Sequence, residues 1–194
     1  MKTVLIASPS HDGNVTAWHA SSLSETCKIG LTKDINVVAL YMSFDALVQR
    51  ARNDIFKIAF ESKVDDLVFI DCDQDWDPND FFKLLSHDVG IVAATVPKKA
   101  DIEQYNVKLL GDYNVLDNGL VEVDGVGTSM MRIRADAIEK IWNVSEEYKE
   151  PHKDSPSRMV FDVKVMNGEL WSEDIVFCER WRSLGEKIYI DPTI

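Results

Sequence analysis

Short apolar runs alternate with helical patterns along the first hundred residues, and this alternation constrains the fold more than any other feature of the sequence. The apolar runs lie at 3–7, 35–41, 67–70 and 91–96. Helical spacing fills the intervals: Asn14 caps a helix that Gly30 stops, a second helix runs from 45 to 59, and Asp77 caps a third. Continuous apolar strands alternating with amphipathic helices predict an α/β fold, in which parallel strands end at one edge of a covered sheet.

The pattern changes after about residue 100. Segments 107–115 and 120–124 flank Leu116-Asp117-Asn118-Gly119, which predicts a hairpin. The remaining segments read as a strand, a helix, a polar loop, a strand, a helix ended by Gly185 and a strand, at 126–133, 135–142, 145–158, 159–166, 172–184 and 187–190. We expect the polar loop to be mobile and to close over a ligand. The whole pattern predicts a central mixed, mostly parallel sheet flanked by helices, in a single domain spanning 1–194.

Composition excludes several classes of protein. With 194 residues, 45% of them hydrophobic, the chain can bury one core, and no apolar run approaches the ~20 residues of a membrane span. The start, MKTVLIASPS, does not resemble a signal peptide, and three scattered cysteines favour neither disulfides nor zinc. We therefore expect a soluble, cytoplasmic protein. A net charge of -12 argues against direct nucleic-acid binding, yet suits an anionic ligand bridged by a divalent cation.

The segment with the clearest chemistry is Phe69-Ile70-Asp71-Cys72-Asp73, where an apolar strand ends in two carboxylates. Ligands of open α/β sheets bind outside the carboxyl ends of the strands. Asp71 and Asp73 repel each other unless a cation lies between them, and Mg²⁺ or Mn²⁺ prefers such oxygen ligands. In the alternative interpretation both are turn residues, but two acids at the end of a buried strand are then electrostatically costly.

The order of these segments resembles the GT-A glycosyltransferases, particularly the short, family-2-like bacterial, phage and large-virus members. The resemblance covers nearly the whole chain. Its motifs are Ser8-Pro9 after the first strand, the helix 47–53, Asp71-Cys72-Asp73 as the Asp-x-Asp motif, Val126-Gly127-Thr128 and Ser172-Glu173-Asp174. It implies a GT-A fold with a nucleotide-binding half at 1–100 and an acceptor-binding half at 101–194, in a bacterial or virus-infected host cytoplasm.

The resemblance also implies a function: transfer of a sugar from a nucleoside-diphosphate sugar, most simply a UDP-sugar, to a hydroxyl of a glycan or another acceptor. Asp71 and Asp73 would hold Mn²⁺ or Mg²⁺, and Asp174, with Glu173 as its rival, would be the general base of an inverting reaction. The residues implied at the donor are Ser8, Pro9, Ser10, Arg52, Asn53, Asp71 and Cys72. Those implied at the acceptor or transferred sugar are Gly125, Gly127 and Trp171.

Each of these motifs also has a structural interpretation. Arg52 can be an exposed helix charge, and the two glycines can permit a bulge between strands. Ser172 can cap a helix whose first turn is acidic, and Trp171 can be a core residue. The glycines do not match a dinucleotide or P-loop fingerprint.

The chain departs from many GT-A enzymes in one respect, because no His follows His152 to supply a further metal ligand. Water or Asp191 would then complete the metal site. Three other functions remain open: nucleotidyl transfer, which usually needs a Gly-rich basic loop that SPSHDGN lacks; a phospho-acceptor signalling domain; and a catalytically silent sugar-nucleotide binder.

Overall fold

The computed structural model describes residues 1–97, 104–109, 111 and 113–194. In chain order the elements are β1 (Lys2–Ser10), α1 (Ala17–Thr32), β2 (Ile35–Ser43), α2 (Val48–Glu61), β3 (Asp66–Ile70), α3 (Pro78–Ser86), β4 (Ile91–Ala94), β5 (Val107–Leu109), β6 (Val121–Val126), β7 (Met130–Arg134), α4 (Ala135–Val144), β8 (Glu147–Tyr148), β9 (Ser157–Arg158), β10 (Lys164–Met166), β11 (Glu169–Trp171), α5 (Glu173–Ser183) and β12 (Ile188–Asp191). The predicted α/β alternation of the first half is confirmed.

Within the described ranges, eight strands form one sheet in the order β2-β1-β3-β7-β4-β12-β6-β5. β1 pairs in parallel with β2 on one side and β3 on the other, and β4 pairs in parallel with β12. β7 lies antiparallel between β3 and β4, with Met131 opposite both Phe69 and Ala93. The predicted large mixed sheet flanked by helices is therefore present. A strand from the second half separates β3 from β4, and the proposed boundary at 100/101 lies outside the described residues.

Helices cover both faces of the sheet. Leu67 and Phe69 of β3 face the core beneath α2, α4 and α5, whereas Val68 and Ile70 face the core beneath α1 and α3. Burial on both faces explains why β3 reads as a continuous apolar run rather than an alternating one. Among the described residues, no helix combines the length and the apolar character needed to cross a bilayer.

Local capping differs from the sequence prediction in α1. The Thr16 side chain, not Asn14, accepts a hydrogen bond from the His19 N–H and caps the helix. Asn14 instead belongs to a turn in which its N–H donates to Asp12. Gly30 does not stop the helix: it lies within α1, where a side chain would press on Val37 and on the backbone of β2.

The strand predicted at 159–166 is wrong over most of its length. Only Lys164–Met166 is extended, and it forms a hairpin with β11. Asn167 and Gly168, both at positive φ, make the turn, and this Asn-Gly pair was the available sequence signal. The strand predicted at 126–133 is likewise two strands, because β6 ends at Val126 and β7 begins at Met130.

The polar segment at 145–158 is tied to α2 in this structure. It contains the short β8–β9 pair. Lys153 forms an ion pair with Asp54, and Lys57 donates to the Ser155 hydroxyl and the Pro156 carbonyl. These contacts hold the segment against α2.

Asn53 on α2 anchors the chain that follows this segment. Its Oδ1 accepts the N–H groups of Val160 and Phe161 at 2.9 and 2.7 Å, and its Nδ2 donates to the Phe161 carbonyl at 3.0 Å. Residues 160 and 161 belong to no strand, so this side chain supplies the partners that a sheet would otherwise provide.

We expect Asn53→Ala to lower the free energy of unfolding by about 3 kcal/mol, because buried backbone groups lose their partners. Urea denaturation measures the change, with Gln49→Ala on the same helix as a control expected to stay within about 0.5 kcal/mol of wild type. A loss below about 1 kcal/mol would mean that water replaces the Asn53 side chain.

Candidate active site

A cavity of about 840 Å³ opens at the carboxyl ends of β1 and β3. The chain leaves β1 toward β2 and leaves β3 toward β4, so the connections diverge and leave a crevice between the two strands. The cavity is lined by Pro9, Ser10, His11, Met42, Asp45, Ala46, Val48, Ala51, Asp71, Cys72, Asp73, Gln74, Asp75, Val96, Pro97, Asn106 and Ser129. Its volume lies within the range of about 300–1,000 Å³ that is usual for small-molecule sites.

The two ends of this cavity differ in chemistry. Beside β1 and β2 the wall is largely apolar and includes Met42, Val48 and Ala51. Beside β3 the wall carries Asp71, Asp73 and Asp75. A ligand that fills the cavity therefore needs an apolar part and a part that suits carboxylates, directly or through a cation.

Hydrogen bonds hold the acidic loop in place after β3. The Asp71 N–H donates to the Ser129 carbonyl at 3.1 Å, and the Gln74 N–H donates back to the Asp71 carbonyl at 3.1 Å. His19 Nδ1 lies 3.1 Å from both the Asp71 and the Gln74 carbonyl oxygens. Two acceptors require the proton on Nδ1, so His19 binds the loop as a donor.

His19 is fully buried among aromatic side chains. Its ring packs edge-on against Trp76 and tilts against Tyr41, and its Nε2 has no hydrogen-bond partner among the residues that the structure describes. Burial lowers the pKa of this imidazole below its usual value and favours the neutral ring. No sequence signal singled out His19, since one histidine in a helical pattern has no distinctive spacing.

Arg52 joins the acidic loop to the first turn of α5. Its Nη2 lies 3.6 Å from Asp71 Oδ1, and its Nη1 donates to Glu173 Oε1. The guanidinium is buried, with 7% of Arg52 exposed. Arg52 is therefore buried and paired with two carboxylates, not an exposed helix charge, and its contact with a donor stays a prediction.

The metal prediction meets a limited set of oxygen ligands. Among the described residues, no group of three or more His, Cys, Asp or Glu side chains could hold a metal ion. Asp71 and Asp73 together suit Mg²⁺ or Mn²⁺ only in the mode in which one or two carboxylates bind and phosphate oxygens and water complete the shell. That mode fits a cation brought in with a diphosphate.

Asp191 does not complete this metal site. Its Oδ2 pairs with Lys83 at 2.8 Å and His87 Nε2 at 2.9 Å, and its Oδ1 accepts the Thr193 N–H and hydroxyl. Although partial burial opposes ionisation, these partners hold the pKa of Asp191 well below its usual range. Its oxygens are therefore occupied by cations and donors of the protein.

The structure brings some of the predicted donor residues into the cavity and leaves others outside. Pro9, Ser10 and Cys72 line it with the two acids. Ser8 is buried, and within the described part of the chain its hydroxyl has no hydrogen-bond partner. The side-chain oxygen and nitrogen of Asn53 bind the backbone at 160–161, and its role at the donor stays a prediction.

A second cavity of about 300 Å³ lies beside β5, β11 and the start of α5. Trp171 lines it, with Lys108 Nζ 3.8 Å from the ring centroid, so this tryptophan is not a core residue. Gly125 does not border this cavity: a side chain there would meet Ile175 and Cys178 of α5. Gly125 therefore allows close packing between β6 and α5, and its place at a sugar pocket stays a prediction.

Asp174 is buried and lines neither cavity itself, but its hydrogen-bond partner Asn106 lines both. Asp174 Oδ1 accepts the Ser172 hydroxyl and the Ile175 N–H, and its Oδ2 accepts Asn106 Nδ2 at 3.1 Å. Asn106 also lies against Gly127 and lines both cavities. Nothing in the sequence predicted a role for Asn106, because it belongs to no helical or strand pattern of apolar residues and to no motif.

Asp45 is a further residue that the motif search missed. It lines the apolar end of the first cavity, where Arg50 Nε and Nη2 contact its two oxygens at 2.7 Å each. Its Oδ1 also accepts the Leu47 N–H just before α2. The hydrogen bonds from Arg50 lower the pKa of Asp45, so it is a carboxylate at neutral pH.

Comparison with known proteins supports the fold and leaves function open. No protein-family model matches the chain, and no curated protein matches it. Among solved structures, the crystal structure of A197 from STIV is similar, with a TM-score of 0.56 and 20% sequence identity over 100% of this chain and 83% of that chain. At this identity the similarity shows a shared α/β fold and nothing about activity.

Cysteine reactivity tests the position of the acidic loop. We expect iodoacetamide at about pH 8.5 to modify Cys72, which lines the cavity, well before Cys178, whose pKa burial raises to about 12. Mass spectrometry of the native protein identifies each modified residue, and Cys72→Ser removes the first product. Modification of Cys178 before unfolding would contradict the packing of α5.

Proposed function

We propose that this protein is a metal-dependent glycosyltransferase of the GT-A fold that moves a sugar from a nucleoside-diphosphate sugar to an acceptor hydroxyl. The observation that carries the proposal is the position of Asp71 and Asp73. Both line a ligand-sized cavity at the divergence of β1 and β3, next to the acids that begin α5.

The shape and chemistry of the first cavity support this choice of donor. A nucleoside has a flat apolar face, which suits the wall formed by Met42, Val48 and Ala51. A diphosphate would lie at the acidic end, where carboxylates attract it only through a cation. When bound by Asp71 and Asp73, Mg²⁺ or Mn²⁺ would neutralise the charge that develops on the departing diphosphate. Uracil remains the expected base.

Arg52 holds the carboxylates of Asp71 and Glu173 in place before a ligand binds. Asp71 and Glu173 would otherwise face each other without compensation, and the guanidinium lies between them. We propose that Arg52 shapes the donor site by orienting Asp71 rather than by reaching the base.

The reaction needs a group that deprotonates the acceptor hydroxyl, and Asp174 is the proposed base. The hydroxyl gives its proton to Asp174 while its oxygen bonds to the anomeric carbon. The bond from that carbon to the diphosphate oxygen breaks, and the diphosphate keeps the electron pair. If the hydroxyl that Asp174 activates attacks the face of the anomeric carbon opposite the diphosphate, the anomeric configuration is inverted.

The second cavity is the proposed acceptor site. It is lined by Ser172, whose hydroxyl donates to Asp174. Trp171 offers a ring face and Lys108 a cation at this cavity. Aromatic faces favour stacking against the apolar face of a sugar, so a glycan acceptor suits this cavity.

Two of the other candidate functions fit less well. A phospho-acceptor signalling domain has an all-parallel sheet, whereas β7 here runs antiparallel between β3 and β4. Nucleotidyl transfer would need a basic loop after β1, where the chain has Ser8-Pro9-Ser10.

A catalytically silent nucleotide-sugar binder is the second candidate function. Both oxygens of Asp174 already accept hydrogen bonds, and Glu173 is paired with Arg52. Carboxylates so occupied are weak bases, so binding without turnover is the main rival.

Calorimetry with UDP, with and without Mn²⁺, tests the donor site. We expect binding that requires Mn²⁺ and that Asp73→Asn weakens at least about tenfold, since one of two carboxylate ligands is lost. Asp117→Asn, an exposed acid on a turn of the second half, changes the net charge equally and serves as the control. Equal binding by wild type and Asp73→Asn would remove Asp73 from the metal site.

Turnover tests the base and separates the transferase from the silent binder. We expect Asp174→Asn to lower the rate of UDP release from UDP-glucose by about 100-fold, a typical value for loss of a general base, while UDP binding is retained. A larger loss in Glu173→Gln would exchange the two roles. Binding without release in wild type would favour the silent binder, and an NMR spectrum showing a retained anomeric configuration would exclude inversion.

A further inference from the structure

Asn106 occupies the boundary between the two cavities. Its side chain lines the large cavity at β3 and the smaller cavity beside Trp171. Its backbone carbonyl accepts the Gly127 N–H at 2.8 Å, so the residue is held against the segment that joins β6 to β7. A ligand in either cavity would therefore meet the same amide side chain.

The amide of Asn106 binds one particular oxygen of Asp174. Asn106 Nδ2 donates to Asp174 Oδ2 at 3.1 Å, while Oδ1 is bound by Ser172 and by the Ile175 N–H at the start of α5. The bonds to Oδ1 come from within two residues of Asp174, whereas the bond to Oδ2 comes from a distant segment. Asn106 thus sets the direction in which Oδ2 points.

Gly127 makes this contact possible. A Cβ atom at position 127 would lie 2.2 Å from Asn106 Nδ2, far inside van der Waals contact. The obstructing atom is the end of a flexible side chain, so an alanine would move the amide and not the backbone. The need for glycine at this position is explained by the place of the Asn106 amide.

We infer that Asn106, which lies against Gly127 and lines both cavities, is a positioning residue that orients Oδ2 of the adjacent Asp174. The inference rests on the proposed function and adds to it a specific role for Asn106. The contribution of the amide is orientation and not basicity: it holds Oδ2 so that the remaining lone pair would meet the acceptor hydroxyl. That hydroxyl proton passes to Asp174 as its oxygen bonds to the anomeric carbon and the diphosphate leaves.

Three variants test this inference: Asn106→Ala, Gly127→Ala and the double variant. We expect each single variant to lower kcat for UDP release from UDP-glucose with Mn²⁺ by about tenfold, the effect of losing one orienting hydrogen bond. The affinity for UDP with Mn²⁺ should stay within about twofold of wild type, because Asp71 and Asp73 are unchanged and UDP lacks the transferred sugar, the part of the donor expected next to Asn106. Gly111→Ala is the control, because no atom of the described residues lies within 4 Å of a Cβ added at this glycine.

The double variant separates positioning from packing. If Gly127 acts through Asn106, the double variant loses no more activity than Asn106→Ala alone, whereas independent effects would multiply. Multiplied losses, or a loss confined to KM, would overturn the inference. A fall in kcat that follows a fall in thermal stability across the variants would overturn it as well.

A measurement without substrate keeps the two hypotheses distinguishable. We expect the side-chain amide signals of Asn106 in a ¹⁵N–¹H spectrum to move in Gly127→Ala and in Asp174→Asn, and to stay in Gly111→Ala. Unmoved signals would overturn the contact, whatever the activity. Absence of Mn²⁺-dependent UDP binding in wild type would instead overturn the proposed function and the catalytic part of this inference, even with the contact intact.

Discussion

The buried guanidinium of Arg52 is the interaction on which the arrangement of the cleft depends. A charge removed from water is costly unless it is paired, and Arg52 has its partners in Asp71 after β3 and Glu173 in α5. These two acids come from opposite halves of the chain. Because both acids pair with one guanidinium, the end of β3 and the start of α5 are held at a fixed distance from each other.

The first cavity, at the carboxyl ends of β1 and β3, has two kinds of surface. Its β1 and β2 side is largely apolar apart from Asp45, which is paired with Arg50, and its β3 side is acidic, so it suits a ligand with a flat face and a metal-bound anion. His19 holds the backbone of the acidic loop from below, and Asn106 holds Asp174. Both are side-chain amide or imidazole donors that order carboxylate-bearing segments, which is how a protein arranges like charges close together without a bound ion.

Much of the fold was predictable because its signals are local. The apolar runs of β1, β2 and β3 and the Asp77 cap of α3 depend on neighbouring residues alone. The errors have local and distant causes. The hairpin at Asn167-Gly168 carried a turn signal that an apolar stretch obscured, whereas the irregular course at 160–161 depends on Asn53, about a hundred residues away.

The sequence by itself determined the α/β alternation and the placement of Asp71 and Asp73 at the end of a buried strand, since both follow from residues close together in the chain. Only the tertiary structure decided that β7 separates β3 from β4, that Arg52 is buried between two acids, and that Asn106 reaches Asp174. Those outcomes require segments far apart in the chain to meet. Strand pairing and the pairing of buried charges select among such meetings, and no local pattern records the choice.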